Sequence, residues 1–140
     1  MIEGSVENRL IQAVQSEAET EKCLLEEHSW QVLYHLSAIR ENILEWYPFA
    51  PDASLLEIGA ECGALTGMFC DKVKRVVALE KSEAGVRVNL ARNGNRQNLT
   101  VVGEEFFSWQ SEEKFDYVTL IGGLGYAGRE NWDKDPYLAM

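Results

Sequence analysis

The sequence predicts an α/β fold built on a doubly wound parallel sheet, and three observations carry that expectation. From Ala53 onward, short apolar runs alternate with stretches of helical periodicity. This is the β-α order from which parallel sheets are built. The runs are nearly continuous in apolar residues, as in strands covered on both faces by helices. The first run, Ser54-Leu-Leu-Glu-Ile58, carries an acid near its end and passes into a turn containing Gly59 and Gly63. Such a turn lets a ligand lie against bare backbone at a helix start.

Strand one is expected at 54–58 and helix one at 63–72. Strand two is Arg75-Val-Val-Ala-Leu-Glu80, and helix two covers 82–93. Ser82 caps that helix and Asn93-Gly94 ends it. Strand three is Leu99-Thr-Val-Val-Gly103, and strand four is Phe115-Asp-Tyr-Val-Thr-Leu-Ile121. Between them, Glu104–Lys114 is too short and polar for a full crossover helix. Upstream, residues 5–27 are acidic, with Val6, Leu10, Ile11, Val14 and Ala18 at helical spacing. They read as a peripheral helix broken near 16–22, where the Ser-Glu-Ala-Glu-Thr-Glu run is a solvated face. Ser29 caps a stronger helix over 29–47, with Val32, Leu36, Ile39, Ile43 and Trp46 as its apolar stripe. Pro48 and Pro51 end it. The chain thus divides into an acidic helical segment, 1–28, and a domain over 29–140.

A length of 140 residues suits one domain with a sizeable core. A net charge of −10 and a pI near 4.6 repel phosphate backbones, so nucleic acid is not expected as a direct partner. No apolar run is long enough to span a membrane. The segment Met1-Ile-Glu-Gly-Ser-Val-Glu7 lacks the basic and apolar regions of a signal peptide. Cys23, Cys62 and Cys70 show neither CxxC nor zinc spacing and read as reduced thiols of a cytoplasmic protein. The two histidines are too few and too separated for a metal site.

The first turn excludes one ligand class. A dinucleotide fingerprint needs GxGxxG, and here Glu61 and Ala64 stand at the later glycine positions. The turn instead has an acid, Glu57, two residues before Gly59, and a second glycine, Gly63, four residues after it. The acid implies a ligand with a positive group there. Another acid, Glu80, ends strand two, where a carboxylate can accept hydrogen bonds from both hydroxyls of a ribose. The plainer alternative makes Glu57 a helix cap and Glu80 a surface residue. Against it, both acids fall at strand ends, where open α/β sheets place their ligands.

Leu55-Leu-Glu-Ile-Gly-Ala-Glu-Cys-Gly-Ala-Leu-Thr66 resembles motif I of the class I S-adenosylmethionine-dependent methyltransferases. Val76-Val-Ala-Leu-Glu-Lys-Ser82, Val102-Gly-Glu-Glu-Phe106 and Lys114-Phe-Asp-Tyr-Val-Thr-Leu-Ile-Gly-Gly123 are similar to the family's next three motifs, in order. The resemblance spans roughly residues 30–126. It implies a Rossmann-like sheet whose four strands run in the order 3-2-1-4, the first part of a seven-stranded fold. It also implies S-adenosylmethionine as cofactor. Glu57 with Gly59, Ala60, Glu61, Cys62, Gly63 and Leu65 would hold the methionine part. Glu80 would take the ribose, with Lys81 and Ser82 flanking the adenine. Glu104 or Glu105 would face the adenine amino group, Phe106 would pack beside the ring, and Ile121 and Gly122 would line the pocket floor. The stretch Tyr34-His-Leu-Ser37-x-x-Arg40 is placed to close over the cofactor, ordinary helix packing with a solvated arginine being its alternative.

Three departures from the family pattern stand out. Glu61 replaces a usual glycine, so its side chain must point away from the cofactor or crowd the methionine end. The loop Gly122-Gly-Leu-Gly-Tyr-Ala-Gly128 lacks the Asn/Asp-Pro-Pro-aromatic signature of amino-group methylation, and Asp135-Pro-Tyr137 lies too far past the strand to supply it. Four strands leave strand four as an apolar edge, for which pairing with a second copy is the expectation. The function implied is methyl transfer to a small-molecule acceptor. No general base is assigned, since His35 and Tyr126 are isolated candidates. A non-catalytic binding or assembly module with a degenerate site is the alternative, favoured by Glu61 and the missing strands.

Overall fold

The structure is a computed structural model and describes residues 4–122. Three helices come first: α1 (Gly4–Ala13), α2 (Glu17–Glu26) and α3 (Trp30–Leu36), followed by a 3-10 helix, Ala38–Ile43. Then come β1 (Ser54–Ile58), α4 (Thr66–Lys72), β2 (Arg75–Leu79), α5 (Glu83–Asn93), β3 (Leu99–Val102) and β4 (Tyr117–Leu120). The strands form a parallel sheet in the order β3-β2-β1-β4, as the resemblance implied. Register aligns Ile58 with Leu79 on one side and with Leu120 on the other. The turns that follow β1, β2 and β4 therefore gather at one end of the sheet. Tyr126 and the segments 123–128 and 135–137 lie outside the described residues.

Alternation along the strands divides the core. Leu55 and Val76 point to one face, where they pack with Met68, Phe69 and Cys70 of α4 and with Val73. Phe69 is fully buried and meets Phe49 edge-on, with ring centroids 5.8 Å apart. Leu56, Val77 and Leu79 point to the other face and are packed by Trp109 and Phe115 from the segment after β3. That segment contains no helix, in keeping with its polar composition. No helix residue joins this second cluster among the described residues. Asp116 anchors the start of β4, its carboxylate accepting from the Ser54 N–H at 2.8 Å and the Ser54 hydroxyl at 2.9 Å.

The N-terminal helices differ from expectation in two places. The first break falls at 14–16, not within 16–22, because Ser16 accepts from the Glu19 N–H and starts α2. The acidic run is thus the exposed first part of a helix. The expected helix over 29–47 stops at Leu36, because Ser37 is extended and its hydroxyl accepts from the Ile39 N–H, beginning a 3-10 segment. Val32 and Leu36 are buried, but Ile39 and Trp46 are more than 70% exposed, at 74% and 73%. The change of helix type rotates them off the core-facing stripe. Val32 and Leu36 join Leu10, Ala13, Cys62 and Val88 in a third apolar cluster, which seats α1 and α3 on α5.

The position of each phenylalanine sets its expected contribution. Phe69→Ala should cost about 3–5 kcal/mol in chemical denaturation, the usual range for truncating a buried aromatic. Phe107→Ala, at a ring 64% exposed, should stay within about 0.5 kcal/mol.

Candidate functional site

The first turn is built by backbone conformation. Gly59 and Gly63 take positive φ, 71° and 70°, and Glu61 between them is left-handed too at 49°. The turn occupies 59–65, so α4 begins at Thr66 and not at the expected 63. A side chain on Gly59 would meet nothing within 4 Å, leaving open space above the backbone. A side chain on Gly63 would overlap the Asn89 amide. The two positions thus need glycine for different reasons: Gly59 for conformation alone, Gly63 for conformation and close packing.

Beneath this turn lies Glu57, 5% exposed. Its carboxyl accepts from the Thr66 hydroxyl at 2.6 Å. The Asn89 amide donates to the same hydroxyl at 3.2 Å. Asn93 donates to Asn89 at 2.9 Å and to the Gly63 carbonyl at 3.0 Å. This buried chain ties the acid to α4, α5 and the turn. Burial pushes the Glu57 carboxyl up to about 8, with Glu61 and Glu80 adding repulsion, while the Thr66 bond and Arg40 oppose the shift. The sign follows: Glu57 contributes stability that is fully present below its unfolded value near 4.5 and is lost as pH rises through about 8.

Glu80 is also buried, at 7% exposure, and so is not a surface residue. One oxygen accepts from the Glu61 N–H and the other from the Ser82 N–H, both at 2.7 Å. It therefore clasps the turns after β1 and β2 to each other. Each oxygen keeps a second lone pair for a ligand hydroxyl. Ser82 caps α5 by accepting from the Gly85 N–H. Lys81 and Glu105 approach to 4.0 Å at the ends of β2 and β3. Glu104 is exposed beside them, and Phe106, 42% exposed, stacks edge-on with Phe107.

β1 and β4 are neighbours at the point where strand order reverses, and open α/β sheets bind ligands in that crevice. A small cavity lies there. Its lining includes Arg40, Glu57, Gly59, Leu65, Thr119 and Ile121, and it encloses about 10 Å³. This is room for about one water, far below the hundreds of Å³ of an open ligand pocket. The Thr119 hydroxyl is buried without a hydrogen-bond partner among the described residues. Arg40 is held at the cavity's edge by two partners: it donates to the Glu61 carboxylate at 3.2 Å, and its guanidinium lies 4.0 Å from the centre of the Tyr34 ring. Gly122, at φ 81°, passes close to the Tyr34 hydroxyl. The larger groove, about 460 Å³, lies behind the turn. Its cations are already engaged: Arg96 with Asp71, Lys72 with the Glu45 carbonyl, and Arg92 with the His35 carbonyl.

The structure thus gathers Glu57, Gly59, Ala60, Leu65 and Ile121 around one cavity. The Cys62 side chain points elsewhere, into the apolar cluster under α1 and α3, where burial pushes its thiol up to about 12. His35 is not among the cavity's lining residues, and burial, helped by Arg40 and Arg92, lowers its imidazole to about 4. It is neutral near pH 7 and too weakly basic there to serve as a general base. Sequence reasoning passed over Thr66, Asn89, Asn93 and Thr119. The signal for two of them was visible: Asn89 and Asn93 recur at a four-residue step on a helix that must pack against the sheet.

No protein-family model matches the sequence, and no curated protein matches it. Solved structures do match in fold. Phosphoethanolamine N-methyltransferase 1 of Haemonchus contortus, solved with phosphoethanolamine and S-adenosylhomocysteine, superposes with a TM-score of 0.56 at 18% identity, over 84% of this chain and 26% of that one. A dimethyladenosine transferase from Plasmodium falciparum gives 0.51 at 18%, over 66% and 35%. DhpI, solved with S-adenosylhomocysteine, gives 0.50 at 21%, over 79% and 52%.

The chain has the class I S-adenosylmethionine-dependent methyltransferase fold.

It spans between 26% and 52% of the length of these three structures. The names of the first two point to different acceptors, so the fold does not select one. Among the described residues, no helix of this methyltransferase fold is long and apolar enough to cross a membrane.

The two glycines of the turn should respond differently to alanine. Gly59→Ala should cost about 1–2 kcal/mol, the price of a left-handed non-glycine residue. Gly63→Ala should cost clearly more, because it also displaces Asn89 and Asn93; equal losses in urea denaturation would contradict the packing argument.

Proposed function

We propose that this chain is the cofactor-binding part of an S-adenosylmethionine-dependent methyltransferase that acts on a small-molecule acceptor in the cytoplasm. The observation that carries the reading is the cavity where strand order reverses, whose lining includes both a buried acid, Glu57, and a largely buried cation, Arg40. The residues present fit the cofactor. Glu57 would receive the ammonium of its methionine end, and Arg40 would face the carboxylate. The open space over Gly59 lets a ligand approach the backbone, and the Thr119 hydroxyl, without a partner among the described residues, offers a donor at the floor beside Ile121 and Gly122. Glu80 would accept from the ribose hydroxyls through its remaining lone pairs. Lys81, Ser82, Glu104, Glu105 and Phe106 surround the place left for adenine.

Bound there, S-adenosylmethionine supplies an activated methyl group for direct displacement by an acceptor oxygen, nitrogen or carbon. The chain's own residues orient and exclude water. Most of the rate advantage in such a reaction comes from holding donor and acceptor in line. The surface charge of −10 favours acceptors other than nucleic acid. The second reading, a non-catalytic binding module, draws support from the small volume of the cavity and from Glu61. Cofactor affinity separates the two.

Calorimetric titration with S-adenosylhomocysteine should show micromolar binding. Glu80→Ala, checked for folding by circular dichroism, should weaken it by about tenfold or more, as expected for hydrogen bonds to a charged group. No binding by folded wild-type protein would leave the binding-module reading in its place.

A pH series tests Glu57. A ligand ammonium needs the carboxylate, yet Glu57 is protonated in the free protein below about pH 8. Affinity should therefore rise by about tenfold per unit between pH 6 and 8 and then level off. Calorimetry near pH 7 in buffers of different ionisation enthalpy should show about one proton released per ligand. Glu57→Gln should remove both effects.

A further inference from the structure

Glu61 is the one non-glycine residue in the left-handed region among those described, at φ 49°. Nothing in the local backbone calls for a side chain there, since glycine takes that conformation without strain. The side chain does have a partner. Its carboxylate accepts from Arg40 at 3.2 Å, and the two side chains are only 24% and 14% exposed. Arg40 in turn lies against the Tyr34 ring, so its guanidinium is held in place on one face by an aromatic surface. Arg40 is also the cation that lines the cavity holding Glu57. The anion of Glu61 therefore sits on the group that a ligand carboxylate would need.

We propose that Glu61 is a specificity determinant: its carboxylate is an internal stand-in on Arg40 for the carboxylate of a ligand, and so penalises adenosyl ligands that carry one. The inference rests on the proposed cofactor site. A ligand with an amino-acid end must displace Glu61 from Arg40. The displaced carboxylate then faces Glu57 and Glu80, the two acids that already crowd this turn. A ligand with the same ammonium but no carboxylate leaves the ion pair intact and still meets Glu57. The small cavity agrees, because Arg40 lines it while paired with Glu61.

The test compares two thioethers that differ in one group: S-adenosylhomocysteine, and the matched compound in which its carboxylate is replaced by hydrogen. Both are titrated into wild type, Glu61→Gln, Glu61→Gly and the Arg40→Ala/Glu61→Gln double variant. Glu61→Gln keeps the side chain and removes the charge, whereas Glu61→Gly also removes the strain. Both should raise the affinity for S-adenosylhomocysteine about tenfold, the worth of one charge-assisted hydrogen bond. Affinity for the carboxylate-free compound should stay within about twofold, since it never contests Arg40. The double variant should lose the gain. Unchanged or weaker S-adenosylhomocysteine binding in both single variants would overturn the proposal, as would an equal gain for both compounds. If neither compound binds any folded variant, the cofactor-site reading itself fails and this proposal with it; binding of the carboxylate-free compound by wild type separates that outcome from the others.

Discussion

Glu57 places an acid in the interior of the molecule, and the surrounding elements are arranged by that fact. A buried carboxyl is costly unless it is neutral or bonded. Here it is both partly bonded, through Thr66, and held toward its neutral form by burial. The chain that supports it runs from Thr66 through Asn89 and Asn93 to the Gly63 carbonyl. That chain crosses from α4 to α5 and back to the turn, so one buried acid couples the three pieces that shape the cavity. Gly63 has no room for a Cβ because Asn89 occupies that space. The glycine is thus required by the polar network as well as by its positive φ.

Two effects compete at Glu61. Its left-handed backbone costs on the order of 1–2 kcal/mol. Against this stand the bond from its N–H to Glu80 and the ion pair with Arg40. A hydrogen bond to a charged group contributes about 1.5–3 kcal/mol. The N–H bond is a backbone interaction, available to any residue at 61. The Arg40 pair and a side-chain hydrogen bond with Tyr34 depend on the glutamate side chain. The strain is therefore offset in part by a contact to Arg40, a residue that lines the cavity, which links the local conformation to the site.

Much of the fold was legible in the sequence. β1 and β2 matched their apolar runs, because strands buried in a parallel sheet need continuous apolar residues. α5 began where Ser82 can cap it. The N-terminal region was less legible. Ser37 sits inside an apolar periodicity that reads as one helix, and only its cap geometry shows that the helix ends there. Ile39 and Trp46 carry the right spacing and still face solvent, since spacing alone does not record a change from an α to a 3-10 turn. In the site, the acids and glycines were visible as residue types. Their partners were not: the inward turn of Glu80 onto two backbone N–H groups, the diversion of Cys62 into the helical core, and the meeting of Arg40 with Glu61 across 21 positions all depend on tertiary placement.

The two faces of the sheet are unequal, and this bears on what the described residues can do. One face is packed by α4, and α5 in turn seats α1 and α3. Among the described residues, the other is packed by Trp109 and Phe115, with Val118 of β4 60% exposed. The candidate contacts to the methionine end and the ribose come from the better-packed half: the turns after β1 and β2, the arginine after α3, and the inner side of β4, whereas Glu104, Glu105 and Phe106 of the adenine end belong to the segment after β3. A site whose groups must be held within fractions of an ångström needs rigid elements around it. The methionine and ribose contacts of the proposed site thus rest on the part of the molecule that packing holds most firmly. The segment that covers the thinner face reaches the site only at its adenine end, through Glu104, Glu105 and Phe106.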